Sequence, residues 1–304
     1  MKGRPYTALI FSMIFWSFSF VWFKIANRSY NPITIVFIRL CIAAVFLSTF
    51  LWLTKGFTPI KKGDKKYFLL LAFFEPFLYF LGESFGLTYV SSTVGSVIIS
   101  TIPVFAVIFA WIFYRERLGA INYAGVILSF IGVIIFITNS SGSVAMSLKG
   151  LTLMLMAVMA AVGYNLMLHK LASKYNPVLI VNIQNVIGVV LFLPLFLIFD
   201  LNKLIKTGFV AGSFSSIILL AIFASSGAFV LFAYSVKYIG ISRANVFSNL
   251  IPVLTAVFAF FMVGEKLNLR NVIGMAVVIA GLFLSQAGSG KSAVTDVDLA
   301  GRSA

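Results

Sequence analysis

The sequence predicts an all-α integral membrane protein of ten transmembrane helices, arranged as two inverted five-helix repeats. Three observations carry that fold class. The first is composition: of 304 residues, 61% are hydrophobic and 10% charged, with a mean hydropathy of +1.06. Soluble domains hold about 45–50% apolar and about 25% charged residues, so this chain belongs in a bilayer. The second is the length of the apolar runs, which match the roughly 20 residues that a membrane-crossing helix needs. The third is that the chain is written twice. Tyr89, Ile102, Pro103, Glu116, Leu118, Gly125 and Gly132 recur as Tyr238, Ile251, Pro252, Glu265, Leu267, Gly274 and Gly281, each at a shift of 149. A fixed internal period marks a duplicated structural unit. Upstream, Asn31-Pro32 returns as Asn176-Pro177 at a shift of 145, so a short deletion lies inside the second copy.

The spans fall at about 6–26, 33–53, 67–88, 93–114, 120–138, 151–170, 177–199, 213–236, 243–263 and 270–287. Runs this long and unalternating are helices, because lipid-exposed backbone must satisfy itself within each segment. The first run, Tyr6 to Ile25, follows Lys2 and Arg4 as a signal peptide would. No small-residue cleavage site ends it, so it reads as a retained helix. The first repeat is expected over 1–138, a connecting loop over 139–150 and the second repeat over 151–287. Residues 288–304 are Gly/Ser-rich and polar, the composition of a disordered tail.

Ten spans put both termini on one side, and loop Lys and Arg decide which. With an inner N-terminus, fifteen basic residues fall in inner segments and seven in outer ones, Arg39 being set aside as intramembrane. Both termini are therefore expected in the cytoplasm, and the chain in a cell (inner) membrane. Five spans per copy is an odd number, so the second copy enters from the opposite side. That is the inverted repeat on which many secondary transporters are built, with the site near the midplane. The net charge of +15 does not make a nucleic-acid binder, because the basic residues sit in gaps between apolar runs. Cys41, alone, forms no internal disulfide and reads as a small core residue.

Two five-helix copies, a fourth helix with a central proline, a Glu-Arg-Leu or Glu-Lys-Leu at its close and a glycine-spaced fifth helix resemble the EamA family of the drug/metabolite transporter superfamily. The residues concerned are Pro103, Glu116-Arg117-Leu118, Gly125 and Gly132, then Pro252, Glu265-Lys266-Leu267, Gly274 and Gly281. Arg39 fits the same pattern; the second copy has Gln184 there. The resemblance implies a ten-helix carrier of small organic solutes, often an exporter of amino acids or other metabolites. It leaves substrate and oligomeric state open.

Candidate binding residues follow from ionisable and polar side chains inside spans, which are costly and face an interior or a wet cavity. Glu75, Tyr79 and Glu83 share one face of the third span; the second copy has Ala224, Ala228 and Phe232. Glu83 and Arg39 lie at similar depth and are expected to form a structural ion pair. Glu75, near mid-membrane and followed by Pro76, is expected to face the cavity, where it either binds a substrate ammonium or carries a coupling proton; the alternative is a neutral acid bonded to a neighbouring helix. Ser92, Ser96 and Ser100 precede Pro103 as Asn245 and Asn249 precede Pro252. Ser96, Ser100, Asn245 and Asn249 are candidate solute ligands, with interhelical bonding as the competing role. Asn165 is a further cavity candidate. His169, at a span end, reads as interfacial, and Asn182, Gln184 and Asn185 as helix packing. Trp16, Trp22, Tyr79 and Tyr164 could line an aromatic pocket, or pack. Gly125, Gly132, Gly274 and Gly281 are expected to permit close helix contact. Glu116 and Glu265 read as interfacial anchors or gate pairs. No phosphate loop, metal-ligand cluster or nucleophile appears, so no enzyme, metal or cofactor is expected. The expected function is secondary transport by alternating access. The competing classes are a non-transporting membrane scaffold and an integral-membrane lipid enzyme.

Overall fold

The computed structural model describes residues 3–105, 119–137 and 147–286, and every regular element among them is helical. Among the described residues, six helices are long and apolar enough to cross a membrane: Arg4–Ala26, Pro32–Leu53, Lys62–Tyr89, Leu148–Ala172, Pro177–Phe199 and Ala211–Ile239. Four shorter apolar helices, Ser92–Phe105, Ala120–Phe136, Phe247–Val263 and Leu269–Ser285, stand where the sequence places the remaining spans. The end of the fourth span, the Glu116-Arg117-Leu118 triplet, most of the 139–150 loop and the 288–304 tail lie outside the described residues.

Several spans are subdivided. In chain order the helices are α1 (Arg4–Ala26), α2 (Pro32–Leu53), α3 (Lys65–Ala72), α4 (Tyr79–Tyr89), α5 (Ser92–Ile99), α6 (Ala120–Ile137), α7 (Leu148–Ala172), α8 (Pro177–Phe199), α9 (Leu201–Thr207), α10 (Ala211–Leu219), α11 (Phe229–Ile239), α12 (Ile241–Val246), α13 (Ile251–Val263) and α14 (Leu269–Gln286). The Asn-Pro pair that occurs twice in the sequence starts α2 and α8. In both, the asparagine is extended and proline takes the first helical turn, where its missing N–H costs nothing. The Asn176 side chain accepts from Val178 N at 2.9 Å. At α2, the buried Asp200 does this work from a distance, accepting from Thr34 N at 3.1 Å and Thr34 Oγ1 at 3.0 Å.

The third and eighth spans are each broken by a π-helical stretch, Phe73–Leu78 between α3 and α4 and Leu220–Ala228 between α10 and α11. In the first, Pro76 cannot donate to Ala72, and Glu75 leaves helical geometry at φ −147° and ψ 118°. Tyr79 N–H then reaches back five residues to Phe74 O. The second stretch has no proline; Ser226 Oγ instead donates to Ala221 O at 2.8 Å, the same five-residue reach.

The chain forms two compact units. Among the described residues the first comprises 3–100 and 147–266, the second 101–105, 119–137 and 267–286, so each draws on both halves of the chain. In the first unit α2 packs on α8, α4 on α7, and α1 on α11 and α13. In the second unit α6 packs along α14, and the expected glycine contacts are there. A Cβ on Gly274 would stand 2.6 Å from Phe136 N, and one on Gly132 would stand 2.5 Å from Val278 N, so neither position has room for a side chain. The polar bonds of this pair repeat when the helices are exchanged. Asn122 Nδ2 donates to Ser285 O, and Asn271 Nδ2 to Phe136 O, both at 2.9 Å. Gly119 N donates to Asn122 Oδ1 at 3.0 Å, and Asn268 N to Asn271 Oδ1 at 3.2 Å. Every one of these residues maps to its counterpart by the 149-residue shift read from the sequence.

Candidate functional site

Inside the first unit the two π-helical stretches and four helices bring together a buried polar cluster. From α2 comes Arg39, 3% exposed; from the first π stretch Glu75, 5%; from α4 Tyr79 and Glu83, 8% and 7%. Arg39 Nε donates to Ser225 Oγ in the second π stretch at 2.8 Å, and its guanidinium lies over the Phe80 ring with Cζ 4.0 Å from the centroid. Stacking on an aromatic face offsets part of the cost of burying a cation. Tyr79 Oη donates to Glu83 Oε1 at 2.9 Å. Asn185, from α8, donates to Ser225 O at 3.2 Å and fixes the second π stretch from behind.

The expected Arg39–Glu83 ion pair is not formed; among the described residues neither makes a salt bridge. The reason is local. Tyr79 stands one turn before Glu83 on α4 and takes its carboxylate, while Ser225 and Phe80 take the guanidinium. Glu83, Tyr79 and Glu75 nonetheless all lie within electrostatic reach of Arg39. Glu75 is buried and has no hydrogen-bond partner among the described residues. Tyr164, from α7, lies within electrostatic reach of Glu75 and buries a hydroxyl with no hydrogen bond. The first π stretch nests on α8 at Gly188, where a Cβ would collide with the Pro76 ring and stand 3.2 Å from Leu40 Cδ1.

An aromatic wall borders this cluster. Phe229 stands 5.1 Å from Trp16, 6.0 Å from Tyr164 and 6.5 Å from Phe80, ring centre to ring centre, and Trp16 also meets Phe232 at 5.1 Å. Of the aromatic candidates, Trp16, Tyr79 and Tyr164 join this wall, whereas Trp22 stacks on Phe18 at 5.1 Å.

The remaining candidates are placed differently. Asn165, 8% exposed, follows Tyr164 on α7. Ser96 and Ser100 are fully buried, but their hydroxyls turn back to Thr93 O at 2.8 Å and Val97 O at 2.7 Å on their own helix. No hydrogen bond links them to the cluster among the described residues. Asn245 is half-buried in α12. Asn249 lies in the 3-10 turn before α13, 3% exposed, with both amide atoms buried and unpaired. His169 is exposed at the end of α7, as expected of an interfacial residue. Gln184 buries an unpaired Oε1.

Two contacts were not specified by the sequence. Ser225 was hidden because serines in apolar runs are common and the 149-residue shift puts Ala224, not Ser225, opposite Glu75. Glu265 does more than anchor a helix end. Its carboxylate accepts from Ser92 N at 2.7 Å, Thr93 N at 3.1 Å and Thr93 Oγ1 at 2.7 Å, capping α5.

A buried polar cluster bordered by aromatic rings, inside a bundle of long apolar helices, defines a multi-pass membrane protein. Comparison with known proteins names the class. The model of the EamA-like transporter family matches residues 4–138 and again 148–286, and the chain belongs to that family. An "uncharacterized transporter" of Archaeoglobus fulgidus is 30% identical over 281 residues, covering 92% of this chain and 98% of the relative. The uncharacterized transporters YcxC and YetK of Bacillus subtilis are 26% and 25% identical, covering 90% and 82% of this chain and 90% and 76% of their own. A crystal structure shares the fold, with a TM-score of 0.68 over 92% of this chain and 98% of its own at 14% identity. The chain is thus a membrane transporter by family, and its relatives are named as transporters rather than enzymes.

Proposed function

We propose that the protein is a secondary carrier in the cell inner membrane that exports small organic solutes, amino acids or related metabolites, by alternating access. In this reading ten spans form two inverted repeats, residues 1–138 and 151–287, with both termini cytoplasmic. Two matches to one family model and the contacts that survive exchange of α6 and α14 support the repeat.

The observation that carries the reading is Glu75: a buried carboxylate without a partner, beside an unpaired Tyr164 hydroxyl and within reach of Arg39. One guanidinium cannot balance two buried carboxylates. The cluster therefore has a place for one more positive charge, either a solute ammonium or a proton. Tyr79, Tyr164 and Asn165 line the guest from α4 and α7, and Asn249 offers a second unpaired amide. Asn245, Ser96 and Ser100 complete the proposed set.

The test is counterflow of labelled amino acids and metabolites in proteoliposomes, at two pH gradients. Glu75→Gln abolishes transport if the carboxylate binds the ammonium. If it carries the proton, the variant still exchanges solute but loses its response to the pH gradient. Wild-type transport in the variant at both gradients would leave Glu75 a packing residue.

A further inference from the structure

Seven lysines gather at the shared end of α2, α3 and α7. Lys55, Lys61, Lys62, Lys65 and Lys66 come from the loop after α2 and the start of α3, and Lys170 and Lys174 from the end of α7; all are exposed. The loop is held against the turn after α7 by one buried carboxylate. Asp64 accepts from Lys174 Nζ and Tyr175 Oη, both at 2.9 Å, and Tyr175 Oη accepts from Lys61 N at 3.2 Å. The Asp64 bond raises the Lys174 pKa above that of an ordinary lysine. Phe68 packs edge-on against Tyr175 at 5.3 Å. The platform is therefore fixed, and Asp64 is spent in holding it.

Among the described residues the other lysines have no such partner. Two of them converge on one ring: the ammonium of Lys66 lies 5.2 Å and that of Lys170 4.9 Å from the centre of Tyr67. Like charges drawn onto one ring repel each other unless an anion stands with them. The exposed Trp52, Leu53 and Phe57 flank the same loop, presenting apolar surface beside the charges. A basic cluster with aromatic and aliphatic neighbours, at the ends of apolar helices, sits at the level of lipid head groups.

We propose that this surface binds the phosphate head group of anionic phospholipid, with Lys66 and Lys170 as its clamp around Tyr67. The acyl chains then run along Trp52 and Leu53. The proposal is independent of what the protein carries.

The test uses the purified full-length chain in detergent, titrated with phosphatidylglycerol, phosphatidylcholine or inorganic phosphate. Bound lipid is counted by native mass spectrometry and stabilisation followed by thermal unfolding. Phosphatidylglycerol binds and stabilises the wild type; phosphatidylcholine and inorganic phosphate do so far more weakly. The exposed pair K66Q/K170Q unfolds at the wild-type temperature without lipid, and its affinity for phosphatidylglycerol falls roughly 30-fold, the effect of removing two charges near an anionic surface. K66R/K170R keeps the affinity, and so does K149Q/K206Q, which removes two exposed lysines elsewhere. Wild-type affinity in K66Q/K170Q overturns the proposal, as does equal binding of phosphatidylcholine. Inorganic phosphate matching phosphatidylglycerol would make this a free-anion site and overturn the membrane assignment.

Discussion

The carboxylate of Glu265 gives the sharpest quantitative prediction. It accepts two backbone N–H groups at the first turn of α5, which have no partner inside the helix, as well as the Thr93 hydroxyl. Ser91 Oγ caps the next amide, Val94 N, at 3.2 Å, so Glu265 alone serves Ser92 and Thr93. Each capping bond contributes about 1 kcal/mol. A negative charge at a helix N-terminus contributes about 0.5 kcal/mol more. Glu265→Ala therefore weakens this end of α5 by about 2.5 kcal/mol, which is roughly 70-fold in the opening equilibrium. Hydrogen exchange reads it directly: amide protection at Ser92 and Thr93 falls by that factor, while the α6–α14 pair keeps its protection. Glu265→Gln retains an acceptor oxygen without the charge and falls between. Unchanged protection at both amides in a folded Glu265→Ala protein would refute the cap as an energetic contact.

Two further substitutions probe the scaffold. Gly188→Ala drives a methyl group into the Pro76 ring and toward Leu40, an overpacking cost of about 1–3 kcal/mol. It lowers the unfolding temperature, whereas Gly227→Ala, where the nearest atom would be 3.4 Å away, leaves it close to wild type. Asn122→Ala and Asn271→Ala each remove a bond to the facing helix and a bond to the preceding turn. Their unfolding temperatures drop by similar amounts, because the two residues occupy exchanged positions of one contact; a large inequality between them would contradict that equivalence.

The positions of the helices were legible because burial in lipid demands long apolar runs, and the glycine contacts of α6 with α14 because a repeated Gly spacing has few other uses. Pro76 showed where the third span breaks. Nothing in the sequence showed that the eighth span breaks at the matching place, since Leu220–Ala228 contains no proline. The charged members of the cluster were legible one by one, because an ionisable residue in an apolar run stands out. Their pairing was not. Depth along a span put Arg39 beside Glu83, but depth says nothing about which neighbour on the same helix competes, and Tyr79 wins the carboxylate by being four residues away. The serine and asparagine candidates failed to separate for the same reason: Ser96 and Ser100 spend their hydroxyls on α5 itself, while Asn249 keeps both amide atoms unpaired.

The backbone is more symmetric than the chemistry, and the two facts have one cause. Each copy must satisfy the same packing problem in lipid, so the broken third and eighth spans match in position, and α6 and α14 exchange contacts without loss. Charge obeys a different rule, because every buried ion costs desolvation that a second copy would double. Glu75, Tyr79 and Glu83 in one π-broken span have Ala224, Ala228 and Phe232 at the equivalent positions of the other, and Arg39 has Gln184 as its counterpart. The uncharged span is still used: its Ser225 accepts from Arg39 Nε at 2.8 Å, where no salt bridge to Glu83 forms. We infer that this small hydroxyl keeps the cation from being consumed by one carboxylate. In the proposed carrier, a Glu75 without a hydrogen bond is free to take up and release a guest. Ser225→Ala should thus let Arg39 turn to a carboxylate, which would weaken solute binding more than it weakens the fold. Solute affinity falling in step with stability, or not at all, would show that the serine only fills space.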